Sequence, residues 1–136
     1  MSIETKCART AEDFFSVVVK GFTSLDVETA LELFHVDSIM VDAAGRVHRG
    51  KYAIAFELQK FFSLGFPVHS TRRHLYVAGD TALQISDWSL RGTTQHGMEI
   101  DMAGTATDVI SRGRDGIWRY VIDNPFGVLN AGRFDQ

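Results

Sequence analysis

Three glycine-bearing turns in the second half of the chain limit its possible folds more than any other feature. Gly79-Asp80, the stretch from Thr94 to Gly97 and the stretch from Gly113 to Gly116 separate four strand-like runs that begin near Val68, Thr81, Met98 and Ile117. Short turns join neighbours in space, so these runs are expected to form a long antiparallel meander. Such a sheet needs cover for its apolar face, and the first half of the chain offers it. Thr10 with Asp13 three residues on has the form of a capping box. Phe14, Val18 and Phe22 then recur at four-residue spacing, which predicts a first helix ending near Gly21. Asp26 caps a second helix, whose Val27, Ala30, Leu31 and Phe34 mark one buried face. A short strand from Ser38 to Asp42 turns through Ala44-Gly45-Arg46 into another at Val47 and His48. A third helix runs from Lys51 through Ile54, Leu58, Phe61 and Phe62, with Gly65 and Phe66-Pro67 as its stop. Helices first and long strands last is the order of an α+β fold with helices packed on one face of a sheet.

The 136 residues, 45% of them apolar, suffice for one buried core and are too few for two ordinary domains, so residues 1–136 are taken as a single domain. The net charge is −3 and the 14 lysines and arginines are scattered, which disfavours nucleic acid as a partner. The longest apolar stretch, Phe14 to Val19, is broken by Ser16 and is too short to span a bilayer. The amino terminus has no apolar run either, so a cytoplasmic protein with no membrane partner is expected. Cys7 is the one cysteine, which excludes an internal disulfide. The histidines His35, His48, His69, His74 and His96 lack the spacing of a metal motif, and no glycine-rich loop joins a strand to a helix. Neither a metal nor another cofactor is expected.

Two segments carry a family resemblance. DVETALELFHVDSIMVDAAGRVHRG, from Asp26 to Gly50, resembles the helix, strand and hairpin of ketosteroid isomerases and their SnoaL-like relatives, with Ala43 where those proteins usually have proline. TATDVISRGRDGIWRYVIDNPF, from Thr105, is similar to the last hairpin of the same superfamily, with its Asp-Gly-x-Trp turn. The resemblance implies a cystatin-like cone, in which a strongly curved antiparallel sheet and the amino-terminal helices enclose a pocket. It also implies a homodimer formed through the outer face of the sheet, here carrying Thr105, Thr107 and Val109. Members of this fold include isomerases, cyclases, dehydratases and proteins without chemistry, so function has to be argued from the site.

Strand alternation from Met98 to Arg112 puts Ile100, Met102, Gly104, Ala106, Asp108 and Ile110 on one apolar face. A carboxyl on such a face has to be hydrogen-bonded, paired or protonated. Asp108 also falls where the resemblance places an oxyanion-binding acid, and Asp42 falls where it places the general base. A pair of carboxyls with separated pKa values is what proton transfer on an enolisable ketone requires. The plainer alternatives are that Asp42 caps the Ala43–Gly45 turn and that Asp108 bonds a neighbouring strand. The isomerases' first-helix tyrosine has no counterpart, since this helix offers Phe14, Phe15 and Phe22, none of them hydrogen-bond donors. Trp88, Tyr120, Asp123, Phe14 and Met102 complete the candidate wall for a small apolar ligand. Trp88 serves equally as a core residue, Tyr120 reads first as one, and Asp123 serves equally as the end of its strand through a turn into Asn124-Pro125.

Overall fold

The computed structural model describes residues 7–128. Three helices, α1 (Ala11–Thr23), α2 (Val27–Leu31) and α3 (Lys51–Phe62), pack on a six-stranded sheet. The strands are β1 (Phe34–Val41), β2 (Val47–Arg49), β3 (Val68–Ala78), β4 (Thr81–Thr93), β5 (Glu99–Arg112) and β6 (Trp118–Asp123), and their spatial order is β2-β1-β6-β5-β4-β3. The last four strands form the expected meander. Every pairing is antiparallel except β1 with β6, which is parallel because the last strand returns to lie beside the first. The fold is the expected α+β cone.

Local chemistry sets the helix ends. The Thr10 Oγ1 accepts from the Asp13 N–H at 3.0 Å to open α1, and an Asp26 carboxylate oxygen accepts from the Thr29 N–H at 3.2 Å to open α2. One boundary differs from the sequence reading. Phe34 carries the helical spacing of Val27 and Ala30, yet α2 stops at Leu31 and Phe34 begins β1. The competing interaction is a backbone ladder. The Leu33 carbonyl accepts from the Tyr120 N–H at 2.8 Å, and Phe34 stands in register with Tyr120. The first strand is therefore four residues longer at its start than Ser38–Asp42 suggests, and Asp42 lies just past its end.

In β4 burial alternates residue by residue, with Ala82, Gln84, Ser86, Trp88 and Leu90 turned inward. In β5 the same role falls to Ala106, Asp108 and Ile110. The main core gathers Phe14, Phe34 and Tyr120, whose rings lie 4.9 Å (Phe14–Tyr120) and 4.8 Å (Phe34–Tyr120) apart. A second cluster of Trp88, Leu90, Ala106 and Phe126 closes the other end of the sheet. Register shifts interrupt the β3–β4, β5–β6 and β1–β6 pairings, and such bulges bend strands and strengthen twist.

Candidate functional site

Between the helices and the inner face of the sheet lies a cavity of about 90 Å³. Its two sides differ in character. The helices contribute apolar groups, Phe15, Val18 and Phe22 from α1 and Leu58, Phe61 and Phe62 from α3. The sheet contributes Gln84, Ser86 and Trp88 from β4, Asp108 from β5, and Tyr120 and Asp123 from β6. All the polar chemistry of the cavity is thus held on rigid strands.

Asp108 and Asp123 are 2% and 4% exposed, and their carboxyls are hydrogen-bonded to each other. Asp108 arrives by plain alternation along β5. Asp123 does not. Ile110 is opposite Tyr120 while Val109 is opposite Ile122, so Val121 is an extra residue in β6. The bulge turns Asp123 to the face that Tyr120 already occupies, beside Met40 of β1.

Burial pushes both acids upward, since a low-dielectric surrounding penalises the charged form. Asp108 rises to about 6, held back by the Asn124 N–H, 2.9 Å from its Oδ1, and by its hydrogen bond with Asp123. Asp123 lies well above the usual carboxylate range, raised first by burial and then by the charge of Asp108. Two hydrogen-bonded carboxyls this deeply buried share a single proton, and the Asn124 N–H at Asp108 favours the charge on that member. Burial, followed by the charges of both acids, keeps the Tyr120 phenol protonated.

Asp42 stands elsewhere. It lines a second cavity of about 340 Å³, next to Glu57, Lys60 and Met102, which adjoins the first through Met40, Phe61 and Pro125. Its Oδ1 accepts from the Ala44 and Arg46 N–H groups, both at 2.9 Å, and its Oδ2 meets Arg46 Nε at 3.1 Å and His48 Nε2 at 2.9 Å. The His48 hydrogen bond, then the Arg46 N–H, holds Asp42 well below the ordinary carboxylate range. Asp42 thus lines a different cavity from Asp108, and it caps its hairpin turn. Met102 faces the Asp42 cavity, and Phe14, with no exposed surface, lies in the core against Tyr120. Trp88, Tyr120 and Asp123 do line the Asp108 cavity.

One grouping escaped the sequence reading. Asp42, His48 and Glu57 each bring a potential ligand atom within 4.8 Å of the others. His48 is opposite Met40 on the facing strand of the hairpin, and Glu57 comes from α3, so no linear motif records the set. Arg46 and Lys60, the latter 2.9 Å from Glu57, already hold both carboxylates, and a cation would have to displace them. Gln84 and Ser86 also went unselected, although they alternate with Trp88 on the inward face of β4. Their polarity at core positions was the available signal.

Comparisons with known proteins agree on the fold. The SnoaL-like domain profile matches residues 11–121. A ketosteroid isomerase-like protein from Erwinia carotovora atroseptica superposes with a TM-score of 0.74 at 15% identity, covering 90% of this chain and 95% of that one. A candidate dehydratase of the NTF2-like family from Streptomyces avermitilis gives 0.68 at 17% identity over 82% and 88% of the two chains. An NTF2-like protein with a cystatin-like fold from Novosphingobium aromaticivorans gives 0.67 at 18% identity over 82% and 75%. A comparison with curated proteins returns no significant match.

Proposed function

The chain belongs to the SnoaL-like domain family, and we propose that it binds a compact carbonyl compound and moves a proton on it with Asp108 and Asp123. The observation that supports this reading most is a hydrogen-bonded pair of buried carboxyls on the polar wall of an otherwise apolar cavity. Two acids that close do not both ionise, so the pair carries one proton and offers one base and one acid at neutral pH. The ionised Asp108 takes a proton from the carbon beside the carbonyl. The freed electron pair forms the carbon–carbon double bond of an enolate, while Asp123 donates its hydrogen bond to the carbonyl oxygen. Where the enolate is conjugated with a further carbon–carbon double bond, return of the proton to the far carbon gives isomerisation. Where the neighbouring carbon bears a hydroxyl, protonation and loss of water give dehydration. Tyr120, a neutral phenol on the same wall, supplies the second donor that the all-phenylalanine α1 lacks. Isomerase-like and dehydratase descriptions among the structural neighbours are in keeping with this reaction class.

The test is deuterium exchange. Butanone incubated with the protein in heavy water should lose the NMR signals of the protons beside its carbonyl faster than in buffer alone. Asp108→Asn should slow the protein-dependent rate by about 100-fold or more, the usual contribution of a positioned base. Equal rates for the wild type and Asp108→Asn would remove the acid–base assignment.

A further inference from the structure

Among buried side-chain polar atoms of the described residues, two have no hydrogen-bond partner, Ser38 Oγ and Gln84 Oε1. They differ in position. Ser38 lines neither of the two cavities, whereas Gln84 lines the one that holds the aspartate pair. Gln84 is 1% exposed, so bulk water does not serve its amide carbonyl. A buried acceptor left unpaired costs about 1–3 kcal/mol, and folded proteins rarely keep one without a reason. Nor is the residue misplaced in its strand. Gln84 is the cross-strand partner of Asp108, and Ser86 follows it on the same inward face. Side chains on directly opposed residues stand about 5 Å apart. Amide and carboxyl are thus set to grip two atoms of one small molecule.

We propose that Gln84 is a specificity residue whose free carbonyl accepts a hydrogen bond from a hydroxyl of the ligand, making the substrate class a short hydroxy ketone rather than a plain ketone. This deepens the proton-transfer reading and rests on it for the carbonyl end. The ketone oxygen faces the aspartate pair and Tyr120, while a hydroxyl one or two carbons away faces Gln84. The remaining carbons meet Val18, Phe22 and Leu58. Size agrees with a short compound. A cavity of about 150 Å³ holds benzene, so 90 Å³ suits about half a dozen non-hydrogen atoms at most. The amide orientation does not alter the choice of residue, because a turned amide would still present an unmatched polar edge to the same space.

Two probes of equal size separate the outcomes, acetoin and methyl isopropyl ketone, which differ by a hydroxyl in place of a methyl. Each is titrated by NMR into the isotope-labelled full chain, wild type and Gln84→Met, with Gln84→Leu as a second apolar variant. The wild type should bind acetoin about tenfold more tightly, and the preference should vanish or reverse in both variants. Without ligand, the melting temperature of Gln84→Met should equal or exceed that of the wild type, because the variant no longer buries an unpaired acceptor. A preference unchanged by the substitution, or no preference in the wild type, overturns the assignment. So does a melting temperature several degrees lower in both variants, which would mark the amide as part of the structure. If neither ketone shifts the cavity resonances, this assignment and the pocket reading fail together. If acetoin selectivity depends on Gln84 while butanone shows no catalysed exchange, only the proton-transfer reading fails.

Discussion

Asp108 links the pH behaviour of the fold to that of the site. Its folded pKa lies near 6, above the value of an unfolded aspartate near 3.9. The folded chain therefore binds this proton more tightly than the unfolded chain does. The resulting stability is fully present below about pH 4 and is lost as pH rises through about 6. Over the same interval the proposed base becomes ionised, so exchange activity should rise while stability falls. Chemical denaturation at a series of pH values should show a loss on the order of 2 kcal/mol from this group across that window. Asp108→Asn, neutral at every pH, should flatten the slope. A slope of equal size in the variant would place the titration elsewhere. Asp42 has the opposite character, because its depressed pKa makes the charged form the stabilising one. His48→Ala should accordingly weaken the hairpin at neutral pH and leave the proton exchange of butanone unchanged.

At the scale of elements, what could be seen beforehand depended on regularity. Asp108 was legible because β5 alternates without interruption around it, and Trp88 because β4 does the same. By that rule Asp123 would share a face with Val121 and Ile117, and one extra residue in β6 reverses it. A bulge leaves no mark in residue type here, since Val121 suits a regular strand as well as a bulged one. The paired carboxyls were therefore each visible, but their pairing was not. The same limit applies to the segment after β6. Its Pro125 lines the cavity and accepts at its carbonyl from the Trp88 Nε1–H at 2.6 Å, and Phe126 packs on Trp88 and Phe61. That arrangement needs a glycine on β5. A Cβ on Gly104 would come within 2.9 Å of Trp88 Nε1 and 3.0 Å of the Pro125 oxygen. Gly104→Ala should force the two apart, cost about 1–3 kcal/mol in urea denaturation and move the Trp88 indole N–H resonance. Unchanged stability with an unmoved indole signal would show that the segment yields without loss.

At the scale of the molecule, the helices account for one face of the sheet and leave the other to be explained. The outward side chains of β4 and β5 include Leu83 opposite Val109 and Ile85 opposite Thr107, and Leu83 is 39% exposed. Thr105 on this face donates its hydroxyl to Asp87 at 2.8 Å. A surface of β-branched and aliphatic groups, with the Arg73–Asp87 ion pair beside it, has the apolar centre and polar rim of an interface between like subunits. The occupant we propose is a second copy, because two such faces related by a two-fold axis bring the same apolar centre against itself. Sedimentation at micromolar concentration should then give about twice the 15.2 kDa of one chain. Leu83→Lys, which would bury like charges against each other at the centre, should return a monomer with an unchanged circular dichroism spectrum. Because Leu83 points away from the cavity that Gln84 and Asp108 line, that monomer should keep its acetoin binding. A wild-type chain that sediments as a monomer would leave the outer face without a partner and the cavity reading intact, since every residue the cavity uses comes from one chain.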